Sequence, residues 1–122
     1  MNIEWYRITT GNEVTKIECE EGNEDNEPSM EAMQEAVGGY FRPVPTWMFA
    51  NNGDANPYVF TCGEDIFQGK VERIYCNEDG DAMRLPFSPA TVMTYPHLLL
   101  VGDVLVGMID VTKISVSKEV GF

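Results

Sequence analysis

The stretch Ser29 to Pro45 constrains the fold more than any other: Ser-Met-Glu-Ala-Met-Gln-Glu-Ala-Val-Gly-Gly-Tyr-Phe-Arg-Pro-Val-Pro. Met30, Met33 and Val37 fall at i, i+3 and i+7, the spacing of one helical face. Ser29 stands where a side-chain oxygen caps a first turn, and Glu31 where the helix dipole favours a negative charge. Gly38 supplies the left-handed residue that commonly ends a helix. Gly39 lets the chain turn sharply into Tyr40, Phe41 and Arg42, an aromatic strand start. A short helix that stops on glycine and feeds a strand fits a mixed domain. It does not fit a phosphate loop, because the glycines follow the helix instead of preceding it.

With 122 residues the chain is expected to be a single domain, 1–122, large enough to bury a core without metal or disulfide. The charge balance is the unusual part: 20 acidic residues against 8 basic ones give a net charge of -12. Such a surface repels nucleic-acid backbones and anionic membranes, so neither is expected as a direct partner. It suits a basic protein partner or an imitation of nucleic-acid charge. Asn2 to Arg7 lacks the apolar segment of a signal peptide, and no apolar run is long enough to span a bilayer. Cys19, Cys62 and Cys76 are scattered and odd in number, as expected of free thiols in a reducing cytosol.

Strand patterns dominate elsewhere. Ile3 to Thr10 and Val14 to Cys19 flank Gly11-Asn12 and predict a hairpin. Glu18 to Glu27 is acid-rich and predicts a solvated loop. Tyr40 to Phe49 predicts a strand bent by Pro43 and Pro45, which belong at an edge or bulge. Asn51 to Pro57 carries turn signals. Tyr58 to Cys62 and Lys70 to Cys76 predict strands, the second with an ambiguous buried face. Asn77 to Gly80 predicts a tight turn. A second short helix is expected from Ser88 and Pro89. His97 to Val101, Val104 to Ile109 and Thr112 to Val116 complete the strands. The expected class is α+β: strand-rich, mostly antiparallel, with one main helix and a second short one.

Few residues select a chemistry. Cys19, Cys62, Cys76 and His97 form no Cys-x-x-Cys pair, and their spacing fits no common zinc module. Asn77 to Asp81 lacks the ligand alternation of a calcium loop. His97, the single histidine, has no Gly-x-Ser-x-Gly companion. No metal and no cofactor is therefore expected. The aromatics are more informative: Tyr40, Phe41, Trp47, Phe49, Tyr58 and Phe60 surround one proline-bent region. Rings of this kind suit stacking on a flat ligand or anchoring an interface, and core packing is the competing account. Arg42 and Arg84 are the natural anion partners. The candidate binding residues are thus Tyr40, Phe41, Arg42, Trp47, Tyr58 and Arg84.

Three pieces are together similar to a family of small viral domains of unknown function, found in bacteriophages and large DNA viruses of algae. They are Gln34-Glu35-Ala36-Val37-Gly38-Gly39-Tyr40, Ile74-Tyr75-Cys76-Asn77-Glu78-Asp79-Gly80, and Leu85-Pro86 through Ala90-Thr91. Val101 to Gly107 also resembles that family's closing strands. The resemblance covers 30–109 and leaves the N-terminal hairpin and acidic loop, 1–28, outside. Phe87-Ser88-Pro89 stands where the family usually has a polar residue after Leu-Pro, which removes support for a shared site there. The resemblance implies a virus-encoded accessory protein of the host cytoplasm and carries over no catalytic residue.

The leading expectation is a non-enzymatic protein that counters host defence by sequestering a host factor or a small nucleotide-like ligand. The alternative is an acidic DNA mimic or interaction inhibitor, acting through Glu18, Glu20, Glu21, Glu24, Asp25 and Glu27. An enzyme on small metabolites ranks third. A homo-oligomer is compatible with proline-bent edge strands and many aromatics.

Overall fold

A computed structural model describes residues 3–18, 27–44, 58–79 and 100–114. Six strands and one helix follow in the order β1 (Glu4–Ile8), β2 (Val14–Ile17), α1 (Met30–Val37), β3 (Phe41–Pro43), β4 (Tyr58–Cys62), β5 (Asp65–Asn77) and β6 (Val104–Ile114). They form one sheet in the order β2-β1-β6-β5-β3, with β4 also on β5, and every pairing is antiparallel. The α+β class therefore holds with one helix. The second helix expected near Ser88 and Pro89 lies outside the described residues.

The β1–β2 hairpin closes where Gly11-Asn12 predicts. Asn12 sits at φ 64°, a conformation its short polar side chain tolerates. Its N–H donates to the Thr9 carbonyl, and the Glu13 N–H donates to Thr9 Oγ1 at 3.0 Å. A second tie fixes this corner to the entrance of β6. Asp103 accepts from Arg7 through one oxygen and from the Thr10 N–H through the other.

β5 and β6 are the long strands, and two irregularities bend them. Between Gln68 and Lys70 the partner strand holds two residues, Asp110 and Val111, opposite Gly69; Asp110 adopts φ 54°. Between Val71 and Arg73 the extra residue is Glu72, on β5 itself. Bulges increase twist and bend a strand. The sheet accordingly rolls until its far strands touch: β4 lies against β2, and Cys62 Sγ is 3.4 Å from the Val14 carbonyl oxygen.

Rolling separates two cores. The concave face holds Tyr6, Ile8, Phe60, Ile74, Val104, Val106 and Met108, with Val44 and Leu100 added from outside the strands. Tyr6 meets Phe60 edge-on at 4.8 Å, and Phe60 stacks on both Tyr58 and Phe67. The outer face holds Trp5 and Leu105, roofed by Met33, Ala36 and Val37 of α1. Burying a large apolar side chain contributes on the order of 1.5–3 kcal/mol, so each face is a substantial core.

The helix keeps its expected caps. Ser29 Oγ accepts from the Ala32 N–H at 3.1 Å, Gly38 sits at φ 78°, and the Gly39 N–H donates to the Gln34 carbonyl at 2.9 Å. One expectation is corrected: Met30 does not share the buried stripe. It is 66% exposed, and Ala36 takes its place beside Met33 and Val37. The reason is length: α1 begins at Met30, so this residue overhangs the sheet beyond the roofed area. The ambiguity of Lys70 to Cys76 also has a cause. Ile74 and Cys76 face the concave core while Tyr75 packs under the helix, so both faces of β5 are covered there.

Candidate functional site

The candidate residues Tyr40, Phe41 and Arg42 follow directly from the helix stop. Gly38 and Gly39 turn the chain into β3, whose residues Phe41, Arg42 and Pro43 pair with Asn77, Cys76 and Tyr75 of β5. The Val44 N–H continues this pairing to the Ile74 carbonyl at 2.8 Å. β3 is the last strand of the sheet order, the edge position in which Pro43 costs no ladder bond.

Alternation decides what each side chain does. Phe41 turns toward the helix side and meets Tyr75 edge-on at 5.5 Å, where Trp5 also stacks on Tyr75 at 5.8 Å. Its ring is a core element. Arg42 is exposed on the opposite face. Tyr40 is 68% exposed, yet its backbone is fixed, because its carbonyl accepts the Glu78 N–H at 2.8 Å.

The post holding this corner is Asn77, which composition and spacing identify only as a turn former. It is 3% exposed. Its Nδ2 donates to the Val37 carbonyl at 3.0 Å and its Oδ1 accepts the Asp79 N–H at 2.8 Å. One side chain thus satisfies an orphan carbonyl at the helix end and shapes the turn after β5. A buried amide needs partners of both kinds, and Asn77 has them.

Tyr58 is not brought to this group. It pairs with Gly69, whereas Arg42 pairs with Cys76; seven steps of β5 separate those positions, a rise of roughly 23 Å at about 3.3 Å per residue. The Tyr58 ring stacks on Phe60 at 6.2 Å, and burial raises its hydroxyl pKa above the ordinary value of 10.0. It belongs with the concave core. Trp47 and Arg84 lie outside the described residues, so the described part of the site is Tyr40 and Arg42 on a frame of Phe41 and Asn77.

Electrostatics around the frame are mixed. Glu27, from the end of the acidic run, accepts from both Arg73 and the Tyr75 hydroxyl, the latter at 3.0 Å. That carboxylate is bound to β5 and is not a solvated spacer. Burial pushes the Tyr75 hydroxyl up, with the Arg73 contact pulling the other way and Glu27 reinforcing the rise. The rest of the acidic run, 19–26, lies outside the described residues. Cys62 and Cys76 are free thiols, and among the described residues no group of three metal-binding side chains converges. No described helix is long and apolar enough to cross a membrane.

Comparisons of the chain with protein-family models, with curated proteins and with solved structures gave no match.

Proposed function

We propose that the protein is a non-enzymatic accessory protein, virus-encoded as the family resemblance implies, that acts in the host cytoplasm by binding a host protein and so counters a defence. The observation that carries this reading is the presentation of Tyr40: an aromatic ring 68% exposed on a backbone anchored at both sides. Tyrosine and arginine are favoured anchors of protein interfaces, because they supply large contact area with directed hydrogen bonds. A rigid frame also reduces the ordering cost of binding. Capture of a flat nucleotide-like ligand is the second reading. It is less well supported, because Phe41, one of the rings expected to stack on such a ligand, packs against Tyr75 in the core.

The test is capture from host lysate with the wild-type protein and with Tyr40→Ala and Arg42→Ala, followed by calorimetry against a nucleotide panel. Loss of one captured protein in both variants supports the reading. Equal capture by all three proteins dismisses the site. Heat released only by a nucleotide, and suppressed in both variants, transfers the assignment to the second reading.

A further inference from the structure

We propose that the outer edge of β3 takes an extended segment of a partner protein as an added strand, beside Tyr40. The inference rests on the reading of Tyr40 as an interface anchor and gives the bound partner its chemistry. Antiparallel pairing alternates between residues that bond across the ladder and residues whose backbone groups point away from it. Two bonds fix the phase of β3: the Glu78 N–H donates to the Tyr40 carbonyl and the Val44 N–H to the Ile74 carbonyl, each at 2.8 Å. With Arg42 opposite Cys76, residues 40, 42 and 44 therefore face β5. Phe41 and Pro43 turn their backbone groups outward. They present one N–H and two carbonyls, because proline carries no N–H. β3 ends the sheet order, and among the described residues nothing bonds these three groups. Tyr40, Arg42 and Pro43 around them are exposed.

The sheet's other edges differ. The Thr9–Glu13 bond sets the phase of β2 and turns Val14 and Lys16 outward. There the Val14 carbonyl accepts the Cys62 thiol at 3.4 Å, and Lys16 is the kind of residue that opposes strand addition. The β4 edge lies against β2. Pro43 guards β3 only in part, since it removes a donor and keeps its carbonyl. Two acceptors and one donor at strand spacing are matched by an extended chain that brings two N–H groups, two residues apart, and one carbonyl. Main-chain bonds of this kind supply affinity, and the neighbouring Tyr40 ring supplies contact area. A second copy of this chain is a poor occupant. The register that engages both Phe41 and Pro43 sets Arg42 directly opposite its own image, and like charges so placed are destabilising. The net charge of -12 adds repulsion between copies.

Amide hydrogen exchange on the free full chain tests the edge first. The Phe41 N–H should exchange at least about tenfold faster than the Arg42 and Val44 N–H groups, which face β5. Equal protection overturns the proposal. A phage-displayed library of random peptides, panned on the full chain, then supplies the probe. A recovered peptide should slow exchange at Phe41 by about tenfold or more. N-methylation of that peptide at each of two positions, two residues apart, should raise its dissociation constant about tenfold, and methylation between them should change it little. Failure to recover any peptide that protects Phe41 overturns the proposal, as does a dimer of the free chain that protects it. Tyr40→Ala separates this proposal from the reading it rests on. A peptide that binds the variant as tightly as the wild type, with Phe41 protected in both, upholds the added strand and removes Tyr40 as its anchor. A peptide lost in the variant that leaves Phe41 unprotected in the wild type keeps the anchor and overturns the added strand.

Discussion

Two positions show how far single residues set this structure. Asn77 joins the end of α1 to the turn after β5, and its replacement by alanine leaves the Val37 carbonyl without its donor. A buried group stripped of its partner costs about 1–3 kcal/mol, so Asn77→Ala should lower the urea unfolding free energy by about 2 kcal/mol. Asn77→Asp keeps the acceptor for the Asp79 N–H but removes the donor to Val37. An aspartate variant as stable as wild type would show that the Val37 contact contributes nothing. Gly107 is the second such residue. It lies directly opposite Trp5 across the β1–β6 pairing, and a Cβ there would stand 2.9 Å from Ile3 Cγ2 and 3.0 Å from two ring carbons of Trp5. The indole occupies the space a side chain would take. Gly107→Ala should therefore destabilise by about 1–3 kcal/mol, the range for overpacking a filled core. The same urea titration measures it, and an unchanged midpoint would refute the account. Neither role is legible in the sequence. Asn77 reads only as a turn residue, and Gly107 interrupts an apolar run without indicating what fills the gap.

At the scale of elements, what was legible follows local physics. The caps of α1, the β1–β2 hairpin and the β4 strand depend on neighbours within a few residues, and each forms where its signals lie. Ser29→Ala should accordingly cost about 1 kcal/mol, the usual value of an N-cap, read as a lower thermal midpoint. A midpoint equal to wild type would mean that packing against Trp5 and Leu105 holds the helix without its cap. What was not legible depends on distant partners. Asp65 to Gly69 carries an acid, an amide and a glycine and does not read as strand, yet it pairs on one side with β4 and on the other with β6. Thr112 to Val116 reads as a strand of its own, yet its described part, 112–114, is the continuation of β6 past the bulge at Asp110. The candidate site divides in the same way. The exit from α1 into Tyr40 is written locally. The inward turn of Phe41 and the separation of Tyr58 arise from the register on β5, which no local pattern encodes.

Taken together, the described residues form a rolled sheet with a core on each face, and its tyrosines report on both. Tyr6 is 3% exposed in the concave core, and Tyr75 lies under the helix on the other face. Burial is the main cause that raises the hydroxyl pKa of Tyr6, Tyr58 and Tyr75 above 10.0; Glu4 adds to the rise at Tyr6. A raised pKa means that the native state holds the phenol proton more tightly than the unfolded chain. The resulting stabilisation is fully present below pH 10.0 and is lost as pH climbs from there through the native values. Stability should thus fall with alkali beginning near pH 10, and the chain's net charge of -12 makes each added tyrosinate more costly to hold. Tyrosinate absorbance followed alongside circular dichroism distinguishes this from simple surface titration. Tyr6, Tyr58 and Tyr75, whose hydroxyls burial raises, should ionise only together with loss of the sheet signal. Tyr6→Phe and Tyr58→Phe each remove one buried phenol, so each should lessen the alkaline loss of stability. If either variant lost stability above pH 10 as steeply as the wild type, burial of that hydroxyl would not be the cause.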